Sequence, residues 1–148
     1  MNRPHMGASC LPFIFQRAVK HQMRLNGRVI GQCWMARSFL ARLRGIKAFD
    51  RLDQNEALLF EGSDCVHGFG MDRELDLVFV DRNWCVVKVT RLGINRVQKC
   101  KGAYAVYEME KGHATESGLE TGDHLVREDA PMPHNVRGSA PAPEGSHP

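Results

Sequence analysis

Residues 75–89 read Leu75-Asp76-Leu77-Val78-Phe79-Val80-Asp81-Arg82-Asn83-Trp84-Cys85-Val86-Val87-Lys88-Val89. Two short apolar runs rich in Val, Leu and Phe flank Asp81-Arg82-Asn83, which has the composition of a hairpin loop. Strands are the natural reading of both runs, because β-branched and aromatic side chains pack well on a pleated surface. Asp76 is the exception within them. A carboxylate between Leu75 and Leu77 must be paired or hydrogen-bonded if it is buried. Loop amides or an arginine would satisfy it. A catalytic acid–base role would need a second carboxylate opposite, and none can be placed.

The same signals extend in both directions. Upstream, Ala57-Leu58-Leu59-Phe60 reads as a buried strand, and Cys65 to Met71 alternates so that Cys65, His67, Phe69 and Met71 share one face if extended. Further upstream, Met23 to Ile30 contains Asn26-Gly27, a pair that favours a tight hairpin turn, and Gly31 to Met35 continues or returns from it. Ser38 to Gly45 predicts a short amphipathic helix: Ser38 suits an N-cap, Gly45 a stop, and Phe39, Leu40 and Leu43 share a face. Downstream, Ala103 to Met109 reads as a strand. Gly112 to Gly118 reads as one or two helical turns, Thr121-Gly122-Asp123 as a turn, and His124-Leu125-Val126 as a strand closing the sheet. The predicted fold is mainly β (α+β by content): a β-sandwich or partly closed barrel of about seven or eight short strands with two short helices.

The ends have a different composition. Residues 1–22 show no periodicity, and a strong strand signal opens at Met23. Either Met23 is the natural start, or a flexible extension precedes the domain. Residues 128–148 hold five of the seven prolines. Such a segment buries too little apolar area to offset its ordering entropy, and a disordered tail is expected. The domain is thus placed at residues 23–127.

Bulk properties narrow the function. The 148 residues suit a single domain, and a hydrophobic fraction of 43% supports a core. A net charge of +3 is too small to point to nucleic acid. No run approaches the roughly 18 apolar residues of a membrane span, and Gln16-Arg17 after Leu11 to Phe15 does not fit a secretory signal. Five cysteines without a C-x-x-C spacing are expected to be free thiols in a cytoplasmic protein. No cofactor is expected.

The ordered set Ser38 to Gly45 (SFLARLRG), Glu56 to Phe60 (EALLF), Val66 to Met71 (VHGFGM), Leu75 to Asp81 (LDLVFVD), Val86 to Val89, and Cys100 to Leu125 resembles the family known as domain of unknown function 192. The resemblance covers nearly all of residues 24–126. It implies a β fold of sandwich type with two short helices and no established enzyme activity. Relatives without a leader segment are associated with pilus and secretion gene neighbourhoods. Two departures stand out: Arg73-Glu74 before Leu75-Asp76, and Val106-Tyr107-Glu108-Met109 in the last strand pattern. Both would make any pocket there more polar than in relatives.

Several residues are candidates for chemistry. Cys65 and His67 could ligate a metal with Cys85 or Cys100, but only a Cys-x-His pair is local, and no metal is expected. Cys65, or Cys100 between Lys99 and Lys101, could be a nucleophile with His67 as base. Inert packed cysteines are the plainer alternative. His67-Gly68-Phe69-Gly70-Met71 is singled out most: two glycines allow close approach, leaving His67, Phe69 and Met71 as a face for a ligand. A bulge or tight bend explains the glycines equally well. The candidate ligand-binding residues are therefore His67, Phe69, Met71 and Asp76. Arg37, Arg42, Arg44, Lys47 and Arg51 could face an acidic partner or phosphate, or form a solvated helix face. The favoured function is a non-enzymatic binding or accessory module. The alternative is a small-molecule binder or enzyme using the His67 to Met71 face. The partner is a protein or a small molecule, not nucleic acid.

Overall fold

A computed structural model of the chain describes residues 20–35 and 52–128. The predicted helix from Ser38 to Gly45, the basic stretch from Arg37 to Arg51, Cys10, and nearly all of both end segments lie outside those residues. Nine strands and one short helix are described: β1 (Lys20–Leu25), β2 (Arg28–Met35), β3 (Glu56–Glu61), β4 (Cys65–His67), β5 (Leu75–Val80), β6 (Val86–Leu92), β7 (Val97–Lys99), β8 (Ala105–Glu110), α1 (His113–Glu116) and β9 (Leu125–Arg127). The mainly β architecture is as expected.

Seven strands form one mixed sheet in the order β6-β5-β8-β3-β2-β1-β9, and β4 pairs with β7 in a separate two-stranded ribbon. Asn26-Gly27 makes the β1–β2 hairpin turn, with φ of 49° and 85°. Two successive positive φ values match the right-handed twist of the flanking strands. The one parallel pair among the described ladders is β2 with β3. A parallel pair needs a connection of about a dozen residues or more, and the intervening residues 36–55 are enough for it.

The sheet is not closed by a continuous ladder, but its two edge strands meet at one end. The Val86 amide donates to the Asp123 carbonyl at 2.7 Å, and the Leu125 amide donates to the Trp84 carbonyl at 2.9 Å. A single bridge, Cys85 with His124, lies between them. These contacts lie where β6 and β9 begin, and the sheet itself is not closed.

Both faces of the sheet are covered. One core holds Met23, Cys33, Leu59, Val78, Val80, Trp84, Tyr107 and Leu125, with Ala114 and Leu119 laid over them. The second, on the opposite face, holds Trp34, Leu58, Phe60, Leu75, Leu77, Phe79 and Val106. Val66, Met71 and Cys100 pack against that second core. Every residue of β5 is buried, which explains why it reads as a continuous apolar run rather than an alternating one.

Three sequence expectations need correction. The strand starting at Cys65 ends at His67, not Met71. A Cβ on Gly68 would stand 2.5 Å from the Gly93 carbonyl oxygen, and Gly70 has a φ of 70°. The glycines therefore serve close backbone packing and a tight turn. The second correction is β7, a strand that composition does not suggest. The third is the start of the first strand: β1 begins at Lys20, ahead of Met23.

Candidate functional site: the outer face of the β4–β7 ribbon

The ribbon is short and its register is fixed: Cys65 opposite Lys99, Val66 opposite Gln98, His67 opposite Val97. Side chains alternate across a strand, so Val66 and Gln98 turn inward. Val66 meets the second core. The Gln98 amide donates to the Arg91 carbonyl at 3.1 Å and accepts from the Lys88 ammonium at 3.3 Å. Cys65, His67, Val97 and Lys99 point outward, and all four are exposed.

A knot of backbone bonds closes one end. The Gly68 amide donates to the Arg96 carbonyl at 2.8 Å, and the Asn95 amide donates to the Gly68 carbonyl at 2.9 Å. The Gly70 amide donates to the Asn95 side-chain oxygen at 3.1 Å. This holds Phe69 over His67, their rings stacked 5.1 Å apart at 28°. Val97 is 52% exposed, Phe69 51% and Ile94 45%. Five large apolar side chains are exposed among the described residues, and three of them fall in this ribbon and its closing turns. Isolated exposed apolar residues are ordinary, but Phe69 and Val97 are joined through His67, which stacks on one and pairs with the other.

The two sides of the ribbon differ in charge: residues 61–72, on the β4 side, contain Glu61, Asp64 and Asp72 and no Lys or Arg, with Glu61 paired to Arg127 and Asp72 to Arg73. Residues 87–101 contain Lys88, Arg91, Arg96, Lys99 and Lys101 and no carboxylate. Arg91 is committed to Asp76, and the Lys88 ammonium donates to Gln98 and to the Lys99 carbonyl. Arg96, Lys99 and Lys101 are exposed and form no ion pair with the described residues.

The four residues singled out from the sequence are not brought into one pocket. His67 and Phe69 stand together on the ribbon. Met71 turns away to pack on the second core. Asp76 lies on the opposite side of the sheet, buried at 4% exposure. Its Oδ1 accepts from Arg91 Nε and Nη2, each at 3.3 Å. Its Oδ2 accepts from the Gly112 amide at 2.9 Å and the Ala114 amide at 3.1 Å. With both oxygens engaged, this carboxylate fastens α1 to β5.

The thiols show the same separation. Cys33, Cys65, Cys85 and Cys100 are free. Burial pushes the Cys33 thiol up to about 12, which keeps it protonated and unreactive. Cys65 and His67 share the outer face, yet no hydrogen bond joins them. No group of three or more metal-ligating side chains is found among the described residues.

The departures before β5 are accounted for by pairing. The Arg73 guanidinium donates to both Glu110 oxygens, the nearest at 2.9 Å, and Lys111 meets Glu74 at 3.1 Å. These residues and Ile94 line a cleft of about 470 Å³. A second cleft, of about 370 Å³, is lined by Val29, Ile30, Asn55, His113 and Glu116.

The His113 imidazole is buried, and its Nδ1 has no hydrogen-bond partner among the described residues. Burial holds its pKa below the usual 6.5, against the opposing pull of Glu116, Asp76 and the Glu56 backbone. The folded state therefore prefers the neutral ring. Stability should be full above pH 6.5 and should fall as the pH drops below it, because the unfolded chain takes up the proton first. Urea titrations between pH 5 and 7.5 should show this slope, and His113→Phe should flatten it. An unchanged slope in the variant would remove His113 as its source.

The family model for DUF192, described as Uncharacterized ACR, matches residues 19–126. The chain belongs to the DUF192 family. No curated protein matches the DUF192 chain by sequence. Two solved structures share its fold. One is a "putative transcription regulator" from Sinorhizobium meliloti 1021, with a TM-score of 0.65 and 17% identity, covering 74% of this chain and 95% of that one. The other is a protein of unknown function from Novosphingobium aromaticivorans DSM 12444, with a TM-score of 0.62 and 18% identity, covering 74% and 84%. At these identities the likeness shows the fold alone. No helix among the described residues of the DUF192 chain is long and apolar enough to cross a membrane.

Proposed function

We propose that this DUF192 domain is a non-enzymatic binding module that holds a partner protein on the outer face of the β4–β7 ribbon. We assign it to the cytoplasm, as an accessory to a larger bacterial assembly such as a pilus or secretion system. The observation that carries the reading is that Phe69 and Val97 stand exposed on a rigidly tied ribbon, Phe69 stacked on the outward His67 that pairs with Val97. Rigid presentation lowers the ordering cost of association. Free thiols at Cys65, Cys85 and Cys100 fit a reducing compartment. The assembly named rests on the family resemblance alone. A small-molecule or enzymatic role for the His67 to Met71 segment has less support, because Met71 faces the core and the Asp76 oxygens are taken.

The full chain, His67→Ala and Val97→Ser should be compared side by side as bait for cell extract. Both substituted side chains are exposed, so each variant should keep its stability within about 0.5 kcal/mol. The reading expects a partner that the parent retains and Val97→Ser loses, with His67→Ala weakened. An identical set of retained proteins for all three would remove this face from consideration.

A further inference from the structure

We propose that the segment held on the ribbon is an acidic stretch of extended polypeptide carrying an apolar anchor. This rests on the reading of the ribbon as a docking face and adds the chemistry of what docks. The first support is charge. Residues 87–101 carry five cations and no carboxylate, in a chain whose net charge is only +3. Two of the five are spent within the fold, at Asp76 and at Gln98. The remaining three, Arg96, Lys99 and Lys101, are exposed without an ion pair among the described residues.

The second support is arrangement. Arg96 stands where the closing turn meets Gly68, and Lys99 stands at the far end of β7, beside Cys65. Val97 lies between them on the outer face, opposite His67. At about 3.3 Å per residue, Val97 and Lys99 are roughly 7 Å apart on the same outer face, with Arg96 in the turn just before them. An extended peptide has the same period of two, so a carboxylate two residues from an apolar side chain would meet Lys99 while that side chain covers Val97, and a second carboxylate on its other side would point toward Arg96 in the turn. A branched aliphatic at the centre suits a side chain better than a stacked base. The cations number three, far fewer than a phosphate-tracking groove commonly presents.

The test uses the full chain and fluorescence anisotropy with three labelled probes. They are a peptide with two glutamates flanking a leucine, the same peptide with glutamine for glutamate, and a single-stranded oligonucleotide of equal charge. The glutamate peptide should bind with an affinity that falls as salt rises. Lys99→Glu and Arg96→Glu should each weaken it by about tenfold, while Arg28→Glu at the β1–β2 turn should leave it unchanged. Absence of binding, equal binding of the glutamine peptide, or tighter binding of the oligonucleotide would overturn the acidic-peptide assignment. If Val97→Ser still loses its captured partner while the two charge reversals do not, the docking face stands and only the partner chemistry fails. If Val97→Ser captures as the parent does, the face itself fails.

Discussion

Asp76→Ala should destabilise the domain by about 3 kcal/mol, since two amides and a guanidinium lose their shared acceptor. The larger share comes from Gly112 and Ala114. Both amides donate to Oδ2, and the buried Ala114 amide has no water to turn to. Arg91 matters less, because its side chain is 46% exposed and can be re-solvated. Arg91→Ala should therefore cost under about 1 kcal/mol. Asp76→Asn should fall between the two, since it keeps one acceptor but turns an amide group toward donors. Urea denaturation of the three variants gives this order. Equal losses for Asp76→Ala and Arg91→Ala would mean that the ion pair, not the backbone amides, dominates the site.

Gly31→Val should be at least as damaging, at about 3 kcal/mol or more. A Cβ on Gly31 would fall on the carbonyl oxygen of Asn55. That carbonyl is not free to move, because it accepts the Gln32 amide at 2.8 Å where β2 meets β3. The substitution must push apart the parallel pair at the middle of the sheet. Gly62→Ala is the contrasting case. Gly62 has a φ of 71° but open space around a Cβ, so only the backbone penalty of about 1 kcal/mol applies. Thermal melts of both variants should separate steric from conformational cost. A mild effect of Gly31→Val would show that β2 and β3 can slide without loss of packing.

Much of the sheet is legible in the sequence because its signals are local. Asn26-Gly27 sets a hairpin by its own backbone preference. The runs Ala57 to Phe60 and Leu75 to Val80 can only be buried. The need of Asp76 for partners is also legible, though the partners are not: Gly112 and Ala114 stand far along the chain, and only the fold brings α1 over β5. The ribbon is harder to see. Val97-Gln98-Lys99 is exposed, buried only in part, then exposed again, so it carries neither an apolar run nor a clear alternation. Its pairing with β4 is long-range. Without β7, Cys65 to Met71 reads as one strand with one face, whereas Gly68 packed on Gly93 turns Met71 to the other side. The charge of the site has a local signal: fifteen residues, 87–101, without a carboxylate. Density of arginine between Arg37 and Arg51 is the more conspicuous feature, yet absence of the opposite sign is the better guide to an unpaired surface.

The pairing of β1 with β9 has a mechanical meaning. The two strands are antiparallel, and Met23 sits opposite Arg127. The chain therefore enters the domain before Lys20 and leaves it after Glu128 at the same end of the same sheet edge. A pull applied through these two points would load the β1–β9 ladder one pair at a time, like a zipper, rather than shearing all its bonds together. Such an edge opens at low force. A domain tethered in this way would yield early under tension, peeling β9 from β1 while the β4–β7 ribbon, which belongs to another part of the molecule, kept its shape.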